Sequence, residues 1–255
     1  MRSFTFRFQL FLTLVLAAPA AQAGFVTLPN VTSIFSANPP FNAANSITVN
    51  WLSTITIYSV NYNNIANEAI QDALFALPGT LVTGQIGNGA IQSFVLPHSP
   101  VDDVFFVDSI DFCGAATPNV VGCATLAGEG IALRSDFIPS GGGLQTVGHE
   151  LGHNLGLDHC QTVQASCPAA QPDGSYLNLM NAYINGSTTL TAAQVATIIS
   201  SPLIRNSGAG NFIDLQPIVF ANTPEPGAMT LVGLGLALLF FVAPNPARPL
   251  QFQSV

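Results

Sequence analysis

Three of the four histidines in this 255-residue chain fall in one run, HELGHNLGLDH, at positions 149–159. If the first part of that run is helical, residues four apart stack on one side, so His149 and His153 present two imidazoles to a common point. Neutral imidazoles at that spacing fix two corners of a tetrahedral zinc site by backbone geometry alone. Glu150, one step round the helix from His149, reaches a water at the site without joining the ligands, which is the placement of a general base. Gly156 adopts positive φ without a Cβ penalty and ends the helix sharply. The chain can then swing His159 back as the third ligand, leaving one position open for a water.

The elements that must hold this arrangement are readable in outline. Leu144, Val147, Leu151 and Leu155 run along a different stripe of the helix and can anchor it in a core. Upstream, SITVNWLSTITIYSVN has the Ile, Thr, Val and Tyr content of strand, and Ile65, Ile70, Ala73, Leu74 and Leu77 recur at helical spacing until Pro78 and Gly79. Further strands are expected at 92–96, in DDVFFVDSI, in VVGCATLAG and in GIALRSDFI. The unbroken apolar run 104–107 suits a strand covered on both faces. In TLTAAQVATIIS, Thr191 and Gln194 can form a capping box, with Leu190 and Val195 as a hydrophobic staple. Strands and helices in this order predict an α/β (α+β) domain built on a sheet.

Composition narrows the classes of function. The chain carries 13 acidic and 5 basic residues, a net charge of −8. Positions 24–222 contain no Lys and only Arg134 and Arg205, so phosphate backbones are repelled and nucleic acid is excluded as a natural partner. Arg2 and Arg7 ahead of an apolar run, and Ala21-Gln22-Ala23 before Gly24, read as a secretory signal peptide over 1–23. Four cysteines in an exported chain allow three pairings, and short separations favour Cys113 with Cys123 and Cys160 with Cys167. The absence of a C-x-x-C pair weakens the metal-ligand alternative. The uncharged segment 227–243 reads as a membrane span or as a buried terminal helix.

The run 149–159 resembles the metzincin signature H-E-x-x-H-x-x-G-x-x-H in full, and YLNLMNAY supplies a candidate Met-turn with Met180. The resemblance, carried by 46–202, implies a twisted mixed sheet with an active-site helix, a smaller C-terminal subdomain and zinc in the cleft between them. It also implies a zinc endopeptidase: His149, His153 and His159 as ligands, Glu150 as general base and acid, and Met180 as a buried floor below the metal. GCATLAG is the candidate for the antiparallel edge strand that would pair with an extended peptide substrate. Tyr183, three residues after Met180, is a candidate extra ligand or oxyanion contact, though a metzincin Tyr ligand falls two residues after the Met. His98 reads as a loop histidine. Asp102, Asp103, Asp108 and Asp111 read as calcium ligands or, preferably, as solvated strand ends. The segment 224–255 is similar to a PEP-CTERM sorting signal, carried by Pro224, Glu225 and Pro226 ahead of the apolar span, with Arg248 alone as its basic end. That likeness implies export in a Gram-negative bacterium and an exosortase-like processing partner.

The expected layout is therefore a signal peptide (1–23), an extended lead-in (24–45), a catalytic domain (46–207), a linker (208–223) and the sorting signal (224–255). The alternative to a secreted or envelope-attached protease is a noncatalytic surface or matrix protein that keeps a zinc-stabilised fold for binding. An intact Glu150 argues against it, because a structural site has no need of a base.

Overall fold

The long strand that organises the molecule comes last. A computed structural model describes residues 27–36, 40–59 and 61–221; the signal peptide and the sorting signal with its apolar span lie outside the described residues. In chain order the elements are α1 (Thr32–Ser36), β1 (Ile47–Trp51), β2 (Ile55–Tyr58), β3 (Asn64–Ile65), α2 (Glu68–Phe75), β4 (Leu81–Ile86) and β5 (Gln92–Val95). There follow β6 (Val101–Val107), β7 (Ser109–Ile110), β8 (Gly122–Ala124), β9 (Ile131–Arg134), α3 (Gly143–Asn154), α4 (Ala192–Ile199), β10 (Arg205–Asn206) and β11 (Asn211–Ala221). The main sheet runs β5-β4-β2-β11-β6-β9-β8, with β1 and β10 also paired to β11. Strands β1, β2 and β6 lie parallel to β11, and β9 lies parallel to β6, whereas β4, β8 and β10 pair antiparallel to their neighbours. The fold is thus mixed α/β: one large mixed sheet with few helices.

Segment 208–223, expected as a linker, instead carries the central strand. Its Gly208, Gly210 and Pro217 read locally as breakers, but Pro217 sits where β11 changes neighbours. On one side β11 pairs with β1 up to Leu215 and with β2 from Ile218, so the missing Pro N–H falls in the gap between two ladders. Gln216 bridges the same gap, its Nε2 donating to Ser53 O at 2.6 Å.

The lead-in also belongs to the domain. Thr32 Oγ1 donates to Val49 O and accepts from Val49 N, docking α1 on β1, and Trp51 Nε1 donates to Pro29 O. Val31, Ile34, Phe35 and Phe41 are buried in the main apolar cluster together with α3. The described residues up to Ala221 belong to a single compact unit, so neither the lead-in nor the last strand is an appendage.

Locally the sequence logic holds. Strand β6 is buried along nearly its whole length, between one cluster containing α3 and another containing α2. Asn67 caps α2 by accepting from Ile70 N, and Thr191 and Gln194 make the reciprocal capping box of α4. Leu190 and Val195 are both buried, as a staple requires. Strand β4 was not anticipated, because LVTGQI holds a central glycine. Gly84 is needed there, since a Cβ would run into the carbonyl of Thr56 on β2.

Candidate metal centre

Helix α3 carries His149, Glu150 and His153 of the run 149–159. Val147, Leu151 and Leu155 are fully buried and fasten it to the sheet. The opposite side presents His149 and His153 to a cleft of about 670 Å³. After Asn154 the helix closes with Leu157 N donating to Gly152 O, and Gly156 takes φ +95. The turn returns His159 to the cleft, as the spacing requires.

The three Nε2 atoms converge: His149 to His153 and His149 to His159 are each 3.1 Å, and His153 to His159 is 3.2 Å. His149 Nδ1 lies 2.7 Å from Leu179 O, and His153 Nδ1 lies 2.7 Å from Leu157 O. A carbonyl only accepts, so both Nδ1 atoms carry the proton and both Nε2 lone pairs point inward. Burial, reinforced by the neighbouring imidazoles, pushes His149 down to about 3 and His153 to about 4. Burial also lowers His159, against the opposing charge of Asp158. The lone pairs of His149 and His153 face the point to which His159 Nε2 also comes, and a cation there satisfies all three. A tetrahedral zinc with bonds of about 2.0–2.1 Å has ligand–ligand edges of about 3.3–3.4 Å, close to the triangle found. Among the described residues this is the one group of three or more His, Cys, Asp or Glu side chains gathered tightly enough to hold a metal ion.

Glu150 sits beside the trio, largely buried but lining the cleft. Burial alone pushes its carboxyl up to about 8. Met180 is fully buried against α3, where a Cβ on Gly152 would stand 2.6 Å from its Sδ. The glycine before the second histidine is therefore what admits the methionine. Strand β8, antiparallel to β9 and at the end of the sheet, forms one wall of the cleft and leaves its outer edge unpaired among the described residues.

The opposite wall is the segment 181–184, held by amides in place of charges. Asn181 Oδ1 accepts from Gln161 Nε2 and Tyr176 N, and its Nδ2 donates to Tyr183 O. Gln145, on α3 one turn before His149, accepts from the N–H groups of Asn185 and Gly186. Tyr183 lines this wall and is 76% exposed, at the rim of the cleft.

Both expected disulfides are present, Cys113–Cys123 and Cys160–Cys167. The first ties Cys113, which lines the cleft, to Cys123 in β8; the second begins one residue after His159.

Other candidates fall elsewhere. His98 lies in a loop 3.3 Å from Glu129 Oε2, apart from the trio. Asp108 and Asp111 are exposed, but Asp102 and Asp103 are not solvated strand ends: both are buried within β6. Asp102 accepts from Gly130 N and from Asn154 Nδ2, tying the sheet to the end of α3. Burial pushes Asp102 up to about 7 and Asp103 to about 8, and neither oxygen of Asp103 has a partner among the described residues. The four aspartates do not form a metal-holding group.

Sequence reasoning missed Gly122, Gly152 and Gln145. The last two had a local signal, lying on α3 within one turn of the histidines; Gly122 had none. No family model matches the chain, and no curated protein matches it. Among the described residues no helix is long and apolar enough to cross a membrane.

Proposed function

We propose that the protein is an exported zinc-dependent endopeptidase of metzincin type, secreted or held at the envelope of a Gram-negative bacterium. The observation that carries the reading is the triangle of three inward-facing Nε2 atoms with an acid beside it in an open cleft. His149, His153 and His159 would hold the zinc. When bound there, the ion supplies Lewis acidity and a water whose pKa is lowered to about 7.

The chain's own groups do the rest. The unpaired edge of β8 aligns an extended peptide by strand addition, so the scissile carbonyl lies between the edge strand and α3. Glu150 takes the proton of the attacking water and returns it to the departing amine nitrogen. The buried Met180 packs beneath the histidines and keeps their floor apolar. Tyr183 is placed at the rim, where a bound peptide would bring it toward the developing oxyanion.

Two disulfides support an oxidising compartment. The PEP-CTERM-like segment supports attachment to the membrane through its apolar span and processing by an exosortase-like partner. The test is digestion of a denatured protein such as casein, with and without chelator, by wild type and Glu150→Ala. The proposal expects cleavage that the chelator abolishes and that the variant lacks while keeping its zinc. A zinc-loaded wild type inert on casein and on peptide libraries would favour the noncatalytic binding protein.

A further inference from the structure

We propose that Gly122 is a positioning residue for Glu150: the missing side chain at this point of the edge strand is what lets the carboxylate lie beside the imidazole trio. The inference rests on the proposed role of Glu150 and adds a residue outside the helix to it. A Cβ at position 122 would stand 2.5 Å from Glu150 Oε1, 2.7 Å from Cγ and 2.8 Å from Cδ. All three of its nearest atoms belong to one side chain, so the space that a methyl would fill is the space the carboxylate uses.

The strand cannot yield easily. Gly122 pairs with Leu133 of β9, and Cys123 beside it is bonded to Cys113. The helix cannot yield either, since Val147 and Leu151 on either side of Glu150 are fully buried. What moves is the Glu150 arm. It ends in a charge-bearing group that no described donor fixes by a hydrogen bond, so contact with the strand sets where it points. A displacement of about 1 Å at such a group can cost a hundredfold in rate. The same glycine lies on the wall that would carry the substrate, which makes strand and base a single geometric unit.

The test is a double-mutant cycle on the full chain with Gly122→Ala, Glu150→Ala and both together. Thermal midpoints are read without zinc, and zinc content and cleavage kinetics with it. Gly122→Ala is expected to keep one zinc per chain and a KM within about twofold, while kcat falls about tenfold to a hundredfold. Its thermal midpoint falls by several degrees when Glu150 is present and is unchanged in the Glu150→Ala background. Equal losses of midpoint in both backgrounds, or an undiminished kcat, overturn the proposal. If no peptide is cleaved by the wild type, the protease reading fails, while the thermal cycle still reports whether Gly122 and Glu150 meet.

Discussion

Two buried acids, Glu150 on the cleft and Asp103 inside the sheet, are both pushed up to about 8 by burial, and only Glu150 lines the cleft. Glu150 opens onto the cleft beside three imidazole acceptors and an unpaired strand edge. Asp103 is 1% exposed in the most buried strand of the sheet, and neither oxygen has a partner among the described residues. A raised pKa reports desolvation, and desolvation alone does not select a functional group. What distinguishes the two is access to the cleft, together with the converging imidazoles beside Glu150. The contrast also separates activity from stability: Glu150 should govern turnover, whereas Asp103 should govern how the fold responds to pH.

The comparison breaks most visibly at Glu150. Glu150→Ala should lower kcat/KM for a peptide substrate by about 10²–10⁴, the usual contribution of a general acid–base group, with zinc content unchanged. A variant that turns over like the wild type removes the assignment.

Asp103 supplies the matching stability test. Its folded pKa is above the unfolded value of 3.8, so the folded state binds more protons between about 4 and about 8. Its contribution is most favourable below about pH 4 and is lost as pH rises to about 8, at up to about 1.4 kcal/mol per pH unit. Asp102, raised to about 7, adds the same sign. Urea unfolding of Asp103→Asn at pH 5 and pH 9 should show a smaller drop than the wild type. An identical drop would mean that Asp103 is paired or hydrated in solution.

Metal removal sharpens the cleft side of the contrast. Zinc at a hundredfold over its dissociation constant should stabilise the apo protein by about 2.7 kcal/mol, and Glu150→Ala should respond equally because the carboxylate is no ligand. The smallest effect is remote from both acids. Thr191→Ala removes the capping box of α4 and should cost about 1 kcal/mol with no change in zinc binding.

The site was legible because its parts are local. Two histidines a helical turn apart, a glycine that must take positive φ and a third histidine three residues later specify their geometry within eleven positions. The short disulfides and the caps of α4 were legible for the same reason. What stayed hidden depends on distant partners. Segment 208–223 reads as a linker until Asn211 is seen beside Ile47 and Pro217 is seen at a change of neighbours. Asp102 and Asp103 look like solvated ends until β6 is placed at the middle of the sheet, between β11 and β9. Gly122 reads as one more residue of an expected edge strand until Glu150 is set against it.

Elemental analysis of the purified protein after zinc loading and exhaustive dialysis tests the central claim most directly, with wild type and His153→Ala compared side by side. The account predicts one zinc per wild-type chain and none retained by the variant. A wild type that retains no zinc, or a variant that keeps the ion as well as the wild type does, contradicts it.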